Sequence, residues 1–143
     1  MEWISVALRA RHPAWHPDRI TSMLGLKPRI AWQAGDARRT PDGQPLPGNY
    51  PETYWCSEKL DGFSSNSVES LLQYVKGLEK LRPALEDFLQ TGGRIEFSVG
   101  WGLTAPSGGE HFPSQLLGNL GHLGIDLSLS IYQQVLDETE QST

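Results

Sequence analysis

The chain has one cysteine, Cys56, so it forms no internal disulfide and offers no CxxC pair for a redox couple or a zinc site. A reducing compartment is expected. It also lacks any apolar run near the roughly eighteen residues needed to cross a bilayer, and the stretch from Met1 to Trp15 shows no basic leader ahead of an apolar segment. These absences predict a cytoplasmic, unprocessed protein without a membrane partner. Net positive charge is missing too: at −5 the chain is a poor match for nucleic acid, whose sequence-independent affinity comes from phosphate neutralisation by Lys and Arg. No GxSxG elbow surrounds a serine, and the glycines of WGLTAPSGGE lack the GK[ST] ending of a phosphate loop.

What is present suffices for one domain. A chain of 143 residues with 38% hydrophobic and 20% charged residues can bury a core without disulfides or metal. We assign residues 1–136 to a single domain and 137–143, the polar DETEQST, to a frayed tail. Charge is unevenly placed. Residues 1–40 hold seven of the twelve basic side chains (Arg9, Arg11, Arg19, Lys27, Arg29, Arg38, Arg39) but three of the seventeen acids (Glu2, Asp18, Asp36). A basic N-terminal third in an acidic protein can hold a small anion.

Period-2 alternation marks three strands: Ile4-Val6-Leu8-Ala10, Ile95-Phe97-Val99-Trp101 and Ile125-Leu127-Leu129-Ile131. RIAWQ (29–33) and TYWCSEK (53–59) supply two more. Helices are signalled by His16-Pro17-Asp18 with Gly25 as the stop, and by Asn66-x-x-Glu69 as a capping box ahead of Val68, Leu71, Leu72, Val75 and Leu78. Pro83 breaks or kinks that region, Ala84, Leu85, Phe88 and Leu89 continue it, and Gly92-Gly93 end it. A last helix spans Pro113 to Leu123, with Leu116, Leu117, Leu120 and Leu123 inward and Gly124 as its stop. Between the segments at 29–33 and 53–59, residues 34–51 carry Pro41, Pro45, Pro47, Pro51, Gly35, Gly43 and Gly48, which predict a long loop without regular structure. Strands with one wet face imply helices on the other face only. The fold expected is α+β, an antiparallel or mixed five-stranded sheet of ferredoxin-like topology extended by a helix and a strand.

The run LGLKPRIAWQAGDARRTPDG, the Trp-containing strand YWCSE, two helices, and RIEFSVGW ahead of DLSLSIY resemble an uncharacterised bacterial family, domain of unknown function (DUF) 4279. The resemblance extends from Ile4 to Tyr132 and is most specific from Leu24-Gly25 through Trp32-x-x-Gly35-Asp36-x-Arg38. It implies a fold and a cytoplasmic setting, and no activity, cofactor or catalytic residue. The Pro-rich insert between Arg39 and Tyr54 is longer than the resemblance implies.

Two candidate sites emerge. Trp32, Asp36, Arg38 and Arg39 combine an aromatic wall, a carboxylate and two guanidinium forks suited to carboxylate or phosphate. The alternative is a structural turn with Trp32 in the core. Elsewhere, the open sheet face carries small side chains (Ser5, Ala7, Ser98, Gly100, Ser128, Ser130) flanked by Arg9, Glu96, Asp126, Tyr132 and Trp55. That face floors a polar groove, joins a second copy in a homodimer, or is simply solvated. His12 and His16 are separated by Pro13 and lack a third ligand, so no metal and no cofactor is expected. Cys56, within a strand, reads as a small hydrophobe. The function expected is a non-catalytic binding or protein-interaction module. The alternatives are an enzyme or sensor for a small anionic metabolite and an immunity-like inhibitor of a basic protein.

Overall fold

Alternating apolar residues can bury one side of a sheet only if something covers that side, and here helices do. A computed structural model of the chain describes residues 2–63 and 67–133. Strand β1 (Glu2–His12) leads through helix α1 (Pro17–Leu24) to β2 (Pro28–Trp32), a short pair β3 (Ala37–Arg39) and β4 (Pro45–Asn49), and β5 (Thr53–Ser57). Helix α2 (Ser67–Gly77) passes through a 3-10 turn (Leu78–Leu81) into α3 (Arg82–Gln90), followed by β6 (Arg94–Leu103), α4 (Ser114–Leu123) and β7 (Ile125–Gln133).

Local chemistry sets these boundaries. The Asp18 N–H donates to His16 Nδ1 at 3.0 Å, Pro17 occupies the first helical turn, and Gly25 ends α1 with φ 67°, the left-handed conformation that glycine adopts without a Cβ penalty. Pro83 sits in the first turn of α3, where its missing N–H costs nothing. The capping-box residue Asn66 and the tail from residue 134 lie outside the described residues, as does the side chain of Ile4.

The large sheet has the order β2-β5-β1-β6-β7. β1 runs antiparallel to β5 and β6, β2 antiparallel to β5, and β6 parallel to β7. The sheet is therefore mixed, because α4 carries the chain back across the sheet before β7 begins. Val6, Leu8, Ala10, Trp55, Ile95, Phe97, Val99 and Trp101 form its buried face, packed against Ile20, Leu71, Val75, Leu85, Phe88, Leu116 and Leu120 of the helices. Full burial of each large apolar side chain contributes about 1.5–3 kcal/mol. Leu117 does not join them: it is 50% exposed, because the inward stripe of α4 is Leu116, Leu120 and Leu123.

The insert at 34–51 is not structureless. β3 and β4 pair antiparallel as a separate two-stranded sheet. The Gly43 N–H donates to the Thr40 carbonyl at 2.9 Å and the Thr40 N–H to the Gln44 carbonyl at 2.9 Å. Pro41 at the first corner and Gly43 at φ 89° make this a turn closed by a glycine bulge. Pro45 and Pro47 fit because each β4 residue needs its N–H on one side at most, and prolines are tolerated in an edge strand.

Candidate functional site

The helices leave the opposite sheet face uncovered, and pairing register places side chains on it in rows. One row reads Ile30, Cys56, Arg9, Glu96, Asp126, and the next reads Trp32, Tyr54, Arg11, Arg94. A third holds Ala7, Ser98 and Ser128. Trp55 is not among them. Its register partner is Ala10, so it points into the core, where it is 0% exposed and its indole N–H donates to Thr21 Oγ1 at 2.9 Å. Trp55 therefore belongs to the buried face and not to the open face where the sequence pattern placed it.

The β3–β4 hairpin stands over the β2 end of this face. Tyr50 stacks on Trp32 with centroids 4.3 Å apart and planes 12° from parallel, Tyr54 lies 4.8 Å from the same indole, and the Arg11 guanidinium sits 4.9 Å from the Tyr54 ring centre. Such contacts are worth about 0.5–1.5 kcal/mol each beyond area burial. Backbone bonds add to the anchor: the Gly35 N–H donates to the Tyr50 carbonyl and the Tyr50 N–H to the Asp36 carbonyl. Thr53 Oγ1 accepts the Ala34 N–H and donates to the Trp15 carbonyl at 2.6 Å, tying the root of the hairpin to the loop after β1.

Between β2 and the hairpin lies an open cleft of about 930 Å³, walled by Arg29, Ile30, Ala31 and Trp32 on one side and by residues 36–41, Leu46 and Tyr50 on the other. It thus unites Trp32, Asp36, Arg38 and Arg39. Asp36 Oδ2 accepts the Gln33 N–H at 3.3 Å and has no arginine within 4.0 Å among the described residues, and Trp32 spends one ring face on Tyr50. Arg38 donates to the Pro47 carbonyl at 3.3 Å. Among the described residues no carboxylate oxygen lies within 4.0 Å of Arg11, Arg29, Arg38 or Arg39. The cleft therefore carries cationic forks without anionic partners.

Farther along the face, Arg9, Arg11, Arg94, Glu96 and Asp126 enclose a smaller recess of about 180 Å³. Here three of the five charged groups have ionic partners: Arg94 grips Glu52 at 2.7 and 3.0 Å, and Arg9 lies 3.8 Å from Glu96, to which Ser128 Oγ also donates. Ser98 is half-buried beside Ser128 in register. The two regions join through a trough that shares Arg11 with the recess and Ile30, Trp32 and Tyr50 with the cleft.

Burial pushes the Tyr54 hydroxyl to a higher pKa, reinforced by the neighbouring Cys56 thiol, so this hydroxyl keeps its proton in the trough. Cys56 is 1% exposed beneath Arg29, whose guanidinium is 3.9 Å from the sulfur. Among the described residues no three His, Cys, Asp or Glu side chains gather as a metal group, and no helix is long and apolar enough to cross a membrane. Arg29 and Tyr50 were not singled out from sequence. The basic N-terminal third contained Arg29, but only the fold shows which of its seven cations share a cleft.

The family model described as Domain of unknown function (DUF4279) matches residues 2–134, and the chain belongs to that family. Comparison with curated proteins and with solved structures gave no significant match.

Proposed function

We propose that this chain is a non-catalytic binding module that takes a carboxylated or phosphorylated ligand in the cleft between β2 and the β3–β4 hairpin. The observation that carries the reading is the convergence of Arg29, Arg38 and Arg39 on one cleft with no carboxylate within ion-pair distance among the described residues. Unpaired guanidiniums favour a planar oxyanion, each charge-assisted bond contributing about 1.5–3 kcal/mol. The enzyme alternative has less support: the hydroxyl–carboxylate pair at the cleft, Thr40 with Asp42, is engaged in the hairpin turn, where Thr40 Oγ1 also accepts the Gln44 N–H, and the one thiol is buried. An inhibitor of a basic protein would present acids here, whereas the cleft presents arginines. The antiparallel order β2-β5-β1-β6, with one helix after β1 and one helical stretch before β6, supports a ferredoxin-like core to which α4 and β7 are appended.

The test is thermal unfolding of the wild type and of an Arg38→Ala, Arg39→Ala double variant against phosphorylated and carboxylated compounds. Ligand at a hundred times its dissociation constant raises native stability by about 2.7 kcal/mol. The wild type should shift and the double variant should not, while the unliganded chains unfold within about 1 kcal/mol of each other, because exposed arginines contribute little and the variant loses only the Arg38 bond to the Pro47 carbonyl. Equal shifts in both chains would refute the reading.

A further inference from the structure

We infer that the ligand of this cleft is an extended acidic segment of another polypeptide, which adds as a further strand to the outer edge of β2. The inference rests on the anion-site reading above and names the class of ligand.

Four consecutive residues, Arg29, Ile30, Ala31 and Trp32, line the cleft. Successive side chains of a strand point to opposite faces, so a cleft touched by four in a row follows the strand's edge, not one of its faces. β2 is the terminal strand of the large sheet and is hydrogen-bonded to β5 alone. Half of its backbone N–H and C=O groups therefore point away from the sheet, and no turn, loop or side-chain hydrogen bond among the described residues ends on the backbone of residues 29–32. Natural edges are usually blunted by charge, by proline or by a covering segment. Here Pro28 and a register irregularity end at Ile30, and the Ile-Ala-Trp that follows carries no charge.

The walls point the same way. Arg29, Ile30, Ala31, Arg38, Arg39 and Leu46 are all exposed, whereas a small metabolite is ordinarily enclosed by buried walls. Strand addition takes affinity from main-chain bonds and specificity from alternate side chains. Carboxylates on one face of the incoming segment meet the arginines across the cleft, and Leu46 and Ile30, 37% and 38% exposed, offer apolar contacts. A single-stranded nucleic acid fits less well, because stacking needs open aromatic faces and the Trp32 ring already stacks on Tyr50 and leans on Tyr54.

The test begins with a pool of octapeptides bearing Glu or Asp at alternate positions and mixed residues elsewhere, from which the intact protein selects its tightest ligand. That peptide is then remade with N-methyl groups on its odd or its even amides. Strand pairing uses alternate amides only, so one methylated set should weaken binding by about tenfold or more and the other should leave it near the parent. Amide exchange within residues 29–32 should slow by about tenfold on binding, and the Arg38→Ala, Arg39→Ala variant should lose the peptide. If both methylated sets bind like the parent, the peptide docks without strand addition; this inference then fails while the anion site stands. If no peptide is selected but inorganic phosphate or a dicarboxylate shifts unfolding, the ligand is small and the inference fails alone. An oligothymidylate that displaces the selected peptide and binds more tightly also overturns it. No binding by any of these probes overturns both readings.

Discussion

Protonation of His12 should unfold the junction between β1 and α3, and the structure sets the size of the effect. His12 is 2% exposed at the end of β1. Its Nδ1 accepts the N–H groups of Ala14 at 2.9 Å and Trp15 at 3.0 Å, so that nitrogen carries no proton. Nε2 then bears the hydrogen and donates to Thr91 Oγ1 at 2.8 Å, which itself donates to the Asp87 carbonyl. Its ring stacks on Trp15 and leans on Phe88, with centroids 5.1 and 5.3 Å away. Burial lowers the His12 pKa below its ordinary value, the Arg19 charge lowers it further, and Asp87 opposes them. The unfolded chain therefore takes the proton first as pH falls. Stability from this group is complete above the unfolded pKa near 6.5 and is lost as pH drops below it toward the folded value, with a slope of at most about 1.4 kcal/mol per pH unit for one proton. His12→Asn cannot reproduce both acceptor bonds, and each buried N–H left without a partner costs about 1–3 kcal/mol. The variant should be less stable at pH 7.5 but should lack the His12 share of the decline. Urea midpoints from pH 7.5 to 5 measure it, and the other three histidines cancel in the comparison. Parallel profiles for the two chains would refute the neutral, doubly accepting imidazole.

Two further perturbations probe the scaffold and the site. Gly124→Ala should cost about 1–2 kcal/mol for its φ of 71° plus a further penalty, because the new Cβ would lie 2.4 Å from Leu89 Cδ1; Gly25→Ala, at φ 67° with nothing within 4 Å, should cost only the first part. Equal losses in chemical denaturation would show that α3 does not press on the α4 cap. Tyr50→Ala removes the stack on Trp32 and the hydroxyl contacts with the Arg39 backbone, so the hairpin should open locally, with trypsin cleavage after Arg38 or Arg39 rising about tenfold for each 1.4 kcal/mol lost. Unchanged cleavage would mean that the hairpin is held without that ring.

The scaffold was legible where side-chain period and capping chemistry agree. His16-Pro17-Asp18 and Gly25 delimited α1, and the alternation of β6 survives as buried Ile95, Phe97, Val99 and Trp101. Legibility failed where neither signal exists. Ala37-Arg38-Arg39 and Pro45-Leu46-Pro47-Gly48-Asn49 show no apolar alternation, since both strands of the hairpin are exposed throughout; their pairing is dictated by the turn at Thr40 to Gly43 and by Tyr50. Trp55 was assigned to the wrong side for a related reason. β5 is buried at four of its five positions, so periodicity is silent, and only pairing with Ala10 fixes which way the indole points.

The same features explain why the proposed site lies at this end of the sheet. An edge strand with open backbone groups invites indiscriminate pairing, and β7, the other edge, exposes Leu129 and Ile131. β2 differs because the segment joining it to β5 is long enough to fold into its own hairpin and is fixed by Tyr50 to Trp32, a residue of the edge itself. That anchor brings Arg38 and Arg39 to the same cleft as Arg29, so three cations share a cleft with one carboxylate, Asp36, and none of the three has a carboxylate within 4.0 Å among the described residues. Clustered cations repel one another unless a ligand supplies the missing negative charge. The folding cost of this arrangement is small while the arginines remain hydrated, and it turns into binding energy when an anion displaces that water. Under the proposed strand addition, selectivity in the cleft comes from what β2 adds, a line of backbone donors and acceptors that a free phosphate cannot satisfy and an acidic strand can.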